Sequence, residues 1–255
     1  MKIGAQMFTI RDYTKDERGI EASLRKLKAM GYDLVQASAL GPCDADRLAG
    51  WLGELGIELC STLSPWKRLE NPDELKRLIA EQKKLGCPHI GLGMKPDTFP
   101  DTHDGWTAFI GKLDGICKTV RDAGISFGYH NHEFEFQKFD GIRAIDRLVD
   151  ECPDLDIVLD VFWVQAGGAN PAEYIDRLKG RIHVIHFKDY RVQGRTRQFA
   201  EIGQGNLDWR DIVSRCNGNG IPYAVIEQDD DFLTGDPFES LALSREFLVG
   251  NEWWK

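Results

Sequence analysis

Strand-like and helix-like segments alternate eight times along this chain, and that rhythm restricts its possible folds more than any other feature. Short runs with strand character cover 3–8, 33–38, 57–63, 89–94, 125–132, 155–162, 182–187 and 223–228. Between and after them lie stretches with helical spacing of apolar residues: 17–30, 44–55, 72–86, 104–123, 141–152, 171–178, 209–216 and 237–248. Asn71-Pro72 and Asn170-Pro171 read as N-cap and first-turn pairs, and Gly31, Gly56 and Gly86 as helix stops. A repeated β-then-α order implies a parallel sheet. IVLDVF and YAVI are apolar on both faces, as expected of strands covered by helices on one side and by a packed interior on the other. A doubly wound sheet would place a glycine-rich turn after its first strand, but Phe8-Thr9-Ile10-Arg11-Asp12 has no glycine. With 255 residues, close to the roughly 250 of such barrels, the expectation is an α/β chain forming one (β/α)8 TIM barrel domain over 1–255.

Charge and cysteine usage limit the partners. The net charge is −9, and the densest basic stretches, Lys83-Lys84 and Arg191 to Arg197, are modest. A nucleic-acid partner is not expected. The six cysteines are scattered without CxxC spacing, which reads as reduced thiols of a cytoplasmic protein rather than a cysteine zinc site. The start MKIGAQMFTI enters a strand directly, with no signal-peptide pattern. No apolar stretch approaches the roughly 20 residues needed to span a bilayer, so no membrane role is expected. Homo-oligomerisation is left open.

Barrels of this kind carry their chemistry at the C-terminal ends of the strands. Strand five ends in His130-Asn131-His132, followed by Glu133 and Glu135. Strand six carries Asp160, strand seven ends in His186-Phe187-Lys188-Asp189, and strand eight ends in Glu227. These strands are neighbours in a barrel, so the groups converge. A carboxylate inside IVLDVF or YAVIEQ cannot be a solvated charge and needs a cation or strong donors. Two such carboxylates with His186 on the strand between are best explained by a shared metal. A mixed N/O set suits Mn²⁺, Co²⁺, Fe²⁺ or Zn²⁺; Mn²⁺ is the expected ion, with Mg²⁺ also compatible. By strand parity Val184, His186 and Lys188 share one face. Lys188 is therefore expected to hold a substrate oxygen or move a proton. His183 falls on the opposite face, as a packing residue under a helix, while His89 and His103 join no constellation. His132 shares the face of His130 and is the expected general base, because an imidazole titrates near neutrality. Lys188 is the alternative base, and Glu227 the metal-binding partner in proton transfer. Phe8, Trp66 and Trp163 are aromatics near strand ends that can stack on a substrate ring. The polar segment 191–206, with Gly203 and Gly205 allowing unusual backbone angles, is expected to close part of the site.

IGAQMFTIRD, YHNHEFEF, LDVFWVQAGG, HVIHFKD, EIGQGNLDW and VIEQD occur in an order and near a spacing that resembles the xylose isomerase-like sugar phosphate isomerase/epimerase family. Its relatives include hydroxypyruvate isomerase, ketose 3-epimerases, inosose dehydratase and 3-dehydroshikimate dehydratase. The resemblance implies one metal held by a Glu on strand five, an Asp on six, a His on seven and a Glu on eight. Carried over, the last three are Asp160, His186 and Glu227, and Lys188 matches a substrate-contacting lysine of some members. Strand five departs: His130 stands in the ligand position, with Glu133 and Glu135 as the other candidates, and His132 matches a catalytic or substrate-binding histidine. Trp163 stands where many members carry another histidine. Epimerase-type members use two glutamates on opposite faces of the sugar, which His130 disrupts; the YHxH pattern is closer to inosose dehydratase.

The expected function is therefore a metal-dependent isomerase or epimerase acting on a small carbohydrate, a sugar, sugar phosphate or polyol, through an enediolate. The alternatives are a lyase or dehydratase on a keto-sugar, keto-glycoside or inosose, and a non-catalytic sugar-binding barrel.

Overall fold

The computed structural model describes residues 1–254. Its eight central strands are β1 (Lys2–Gln6), β2 (Leu34–Ala37), β3 (Glu58–Ser64), β4 (His89–Leu92), β5 (Ser126–His130), β6 (Asp156–Asp160), β7 (Val184–Phe187) and β8 (Tyr223–Ile226). Each pairs in parallel with its sequence neighbours, and β8 returns to β1, closing a TIM barrel. Helices follow every strand and form the outer ring. Among the described residues no helix is long and apolar enough to cross a membrane.

Local chemistry explains where the outer helices start. Asp16, Asp44, Asn71, Thr102, Asn170, Asp208 and Asp236 each accept a backbone N–H of the first turn with a side-chain oxygen. Gly56 and Gly86 end their helices in the left-handed conformation. The apolar stripes pack outward-facing strand residues against the helix ring, forming the main core with Trp106, Phe109 and Tyr129 among its largest buried members.

Inside the barrel the two-residue strand period stacks the contents in layers. Leu34, Cys60, Val158, Val184 and Val225 form a separate apolar belt across the interior. Two residues further along four of these strands stand Gln36, Asp160, His186 and Glu227, so the belt is the floor of the site. Below it lies another polar layer. His89 is fully buried, its Nδ1 bonded to Ser61 Oγ at 2.7 Å, and its ring stacks on His183 at 4.8 Å. His183 thus does not pack under a helix, and His89 does have partners. Both lie at the N-terminal ends of their strands, opposite the site. Gly128 makes room for this layer: a Cβ there would sit 2.6 Å from His89 Nε2.

The strand read over 155–162 stops at Asp160, where a short helix, Val161–Ala166, begins. The segment expected as a polar loop after β7 is largely an antiparallel hairpin of Asp189–Gln193 and Thr196–Ala200. Asp189, buried below it, accepts from the backbone N–H groups of Tyr190, Gly203 and Leu207 and from Trp209 Nε1. Gly203 has φ +86°, whereas Gly205 is needed for room, since a Cβ would meet Asp189 Oδ1 at 2.1 Å.

Candidate metal centre

His130, Asp160, His186 and Glu227 meet at the C-terminal mouth of the barrel, all buried, with one ligand atom from each lying within 4.8 Å of the others. A single divalent ion with N/O bonds of about 2.0–2.2 Å would draw a set of that span together by a few tenths of an ångström. The donor chemistry fits as well, because each imidazole has its far nitrogen engaged. His130 Nδ1 lies 3.0 Å from the Gly93 carbonyl, which can only accept, so Nδ1 carries the proton and Nε2 faces Asp160 Oδ2 at 3.4 Å.

For His186 the tautomer is set by a relay. The Phe8 N–H donates to Gln6 Oε1 at 3.3 Å, which leaves Gln6 Nε2 as a donor to Gln36 Oε1 at 2.6 Å. The same Gln36 oxygen accepts from His186 Nε2 at 2.6 Å. His186 Nδ1 therefore presents its lone pair toward the carboxylates, 2.8 Å from Glu227 Oε2 and 3.9 Å from Asp160 Oδ2. Such outer partners orient a ligating histidine and raise its basicity.

Asp160 divides its oxygens. Oδ1 caps the short helix, accepting from Phe162 N–H at 2.9 Å and Trp163 N–H at 3.2 Å, while Oδ2 faces the site. Asn131 fixes this strand end by accepting the Asp160 N–H at 2.9 Å. Of the other strand-five candidates, Glu135 turns away, bonding the Tyr129 hydroxyl and the His132 N–H, and burial pushes its carboxyl up to about 7. Glu133 is exposed, 3.8 Å from Arg197. Only His130 of the three joins the cluster.

Lys188 is the local cation. Its Nζ lies 2.9 Å from Asp229 Oδ2, 3.2 Å from Glu227 Oε2 and 3.6 Å from Asp160 Oδ2. Burial alone would discharge it, but Glu227, Asp160 and Asp229 hold its pKa above the ordinary lysine value. In return, and against their own burial, Asp160 is held below the usual carboxylate range by Lys188 and His130, and Glu227 well below it by Lys188 and His186. A buried carboxylate without such partners would cost several kcal/mol. Asp229 differs: burial and the neighbouring Glu227 push it up to about 6, and its Oδ1 has no partner.

His132 stands against the Trp163 indole, ring centroids 5.3 Å apart, and its buried Nδ1 has no protein partner. Burial, then His130 and Lys188, push its pKa down to about 3. The imidazole is thus held in its neutral, proton-accepting form. Trp163 also receives Lys188 Nζ at 5.3 Å from its ring centroid, and Phe199 of the hairpin approaches the same ammonium at 5.4 Å. The hairpin therefore covers one side of the mouth. Trp66 lines the cavity from the short helix after β3 but is mostly packed on Phe99 and Phe109. Sequence reasoning missed Gln6, Gln36, Asn131 and Asp229; the first two stood out only as amides inside otherwise apolar strands.

Comparison with known proteins agrees with this architecture. A family model described as xylose isomerase-like TIM barrel matches residues 24–246. The inosose dehydratase of Geobacillus kaustophilus is 24% identical, covering 92% of this chain and 87% of that enzyme. That of Lacticaseibacillus casei is 24% identical over 58% of this chain and 55% of its own length, so there the match spans about half of the relative. Among solved structures, a sugar phosphate isomerase/epimerase from Parabacteroides distasonis superposes with a TM-score of 0.82 at 22% identity, covering 100% of this chain and 99% of that one. The IOLI protein with a bound zinc atom gives 0.75 at 15% identity, covering 98% and 97%.

Proposed function

We propose, from the premise that this chain belongs to the xylose isomerase-like TIM barrel family, that it is a divalent-metal-dependent lyase. It removes a proton beside the ketone of an oxo-sugar or oxo-polyol and expels an oxygen substituent from the next carbon. The observation that carries this reading is the placing of an imidazole, His132, and an amine, Lys188, against one indole ring. Elimination needs a proton acceptor and a proton donor together. His132 accepts the α-proton. Lys188, held charged by Glu227, Asp160 and Asp229, donates to the departing oxygen.

A cation held by His130, Asp160, His186 and Glu227 would supply Lewis acidity to the ketone oxygen as negative charge develops there. Mn²⁺ is our choice for this mixed set, with Zn²⁺ next. Trp163 offers a ring face to the sugar, Trp66 extends the apolar wall, and the hairpin limits entry of water.

Isomerase or epimerase chemistry would begin at the same C–H bond. Two-base epimerisation also needs an acid–base group on the opposite face; among the described residues the β1–β4 strand ends reach the mouth with Phe8, Ala37, Thr62, Ser64, Leu92 and Gly93, while the titratable side chains of that lining, among them Asp44, Arg68, Glu81 and Lys84, sit on the flanking helices and their caps. The curated relatives being inosose dehydratases supports elimination. The test is to load the protein with Mn²⁺ and assay inososes and oxo-sugars for an absorbing enone or enol product. Asp160→Asn and Glu227→Gln are expected to lose both bound metal and turnover. Formation of an epimer or an aldose with no enone would replace elimination by isomerisation. Metal binding without any turnover would leave a sugar-binding barrel.

A further inference from the structure

The cavity above the metal centre is larger than a single sugar needs. Its volume is about 1260 Å³, whereas pockets of roughly 300–1,000 Å³ take whole drug-sized ligands. From His130, Lys188 and Glu227 it continues past the ends of β2 and β3 into a crevice between the helices Ala45–Leu55 and Pro72–Leu85. Leu48, Leu78 and Leu85 give that crevice apolar walls. Thr62 and Gln82 also line it, both more than nine-tenths buried, and Thr62 Oγ1 and Gln82 Oε1 have no protein partner.

The charges along this extension argue against an anionic occupant. Arg68 is paired with Glu81 at 2.9 Å, Arg77 with Glu74, and Lys84 with Asp46 at 2.9 Å. Each cation that a phosphate would seek already has its carboxylate, so the crevice suits a neutral, largely apolar group.

We propose that this crevice is an aglycone subsite and that the substrate is a neutral oxo-glycoside, with its sugar at the metal centre and its apolar aglycone between the two helices. The inference rests on the lyase reading and names its leaving group. His132 takes the proton from the carbon between the ketone and the glycosidic carbon. That C–H electron pair becomes the new C=C bond as the glycosidic C–O bond breaks. The aglycone oxygen takes a proton from Lys188 and departs as an alcohol or phenol, leaving an enone. No oxidant or water is consumed.

A native reporter is at hand, because Cys43 lines the crevice and is partly exposed while the other five cysteines are buried. The probes are phenyl and methyl β-glucoside, tested for binding to the Mn²⁺-loaded full chain. Phenyl glucoside is expected to bind at least about tenfold more tightly, as burying one apolar ring implies, and to protect Cys43 from a disulfide thiol reagent. Ala45→Trp, at a partly exposed helix position on the crevice wall, should abolish both effects. It should leave turnover of the methyl oxo-glucoside unchanged. Equal affinity for the two glucosides, or no protection of Cys43, overturns the subsite. Turnover decides the underlying reading separately. If inososes and both oxo-glucosides give no enone, the lyase reading falls. If the phenyl and methyl oxo-glucosides react equally well, the lyase stands and the subsite falls.

Discussion

Gln36→Leu tests the claim that His186 is held in one tautomer for metal binding. Gln36 Oε1 accepts from both Gln6 and His186 at 2.6 Å, and its Nε2 is buried without a partner. Leucine keeps the volume and removes the unsatisfied amide N–H, a gain of about 1–3 kcal/mol. It also strands the His186 Nε2–H and the Gln6 amide, each costing about 1–3 kcal/mol when buried. The expected net destabilisation is about 1–3 kcal/mol, too little to unfold a barrel of this size. Metal affinity should suffer more specifically. Losing an outer partner of a ligating histidine typically costs about 10–100-fold, or about 1.4–2.7 kcal/mol. Gln36→Glu keeps an acceptor for both donors and should bind metal at least as well as wild type. Calorimetric titration with Mn²⁺ and Zn²⁺ at fixed pH measures the affinities, and ¹⁵N shifts of the His186 ring read the tautomer. Gln36→Leu binding within threefold of wild type, or a ring still protonated at Nε2, would refute the relay.

Other outcomes follow from the same geometry. His132→Ala is expected to retain metal, to lose about 10²–10⁴-fold in kcat and to stop exchange of the substrate α-hydrogen with deuterated water; exchange at the wild-type rate would move the base to Asp229 or Lys188. Phe199→Ala, which removes the hairpin ring facing Lys188 and Trp163, should lower kcat/KM about tenfold, or about 1.4 kcal/mol, with a smaller change in Tm. Equal effects on both would make the hairpin purely structural. His89 is buried and held neutral well below the ordinary histidine value by burial and His183. The unfolded chain therefore takes up a proton below about pH 6.5 that the folded chain refuses, and stability falls as pH drops, by up to about 1.4 kcal/mol per unit. In His89→Gln this loss is absent, so urea denaturation should show its stability deficit shrinking between pH 7 and pH 5; a constant deficit would show that His89 is protonated in the fold.

The barrel was legible because its signal is repeated. Eight β-then-α units, polar caps at helix starts and strands apolar on both faces all describe one architecture, and small boundary errors do not disturb it. The convergence of His130, Asp160, His186 and Glu227 was legible for the same reason: strand order brings the ends of β5 to β8 together. What the chain order cannot carry is side-chain direction after a strand ends. Glu133 and Glu135 remained candidates beside His130 until the turn after β5 sent Glu133 to the surface and Glu135 to the Tyr129 hydroxyl. The hairpin was hidden because its alternation is short, with Tyr190, Val192 and Phe199 the only large apolar or aromatic residues among polar ones, and Val192 faces solvent. Desolvation was equally invisible. His132 has an unremarkable sequence context, yet burial beside two cationic or potentially cationic neighbours removes it from the range in which histidine normally titrates.

Asp160 Oδ1 is committed to two backbone N–H groups of the helix it caps, and this limits denticity. A free aspartate can chelate through both oxygens; this one can offer an incoming cation only Oδ2 without unwinding the first turn. The two imidazoles contribute one nitrogen each, so the set supplies at most five donor atoms even if Glu227 binds through both oxygens. An ion that prefers six ligands would therefore leave at least one position to be filled from outside this residue set. The backbone of the helix that carries Trp163 would thus restrict how many donors this chain offers a cation, and a substitution that freed Asp160 from its capping role would add a donor there without blocking the entrance.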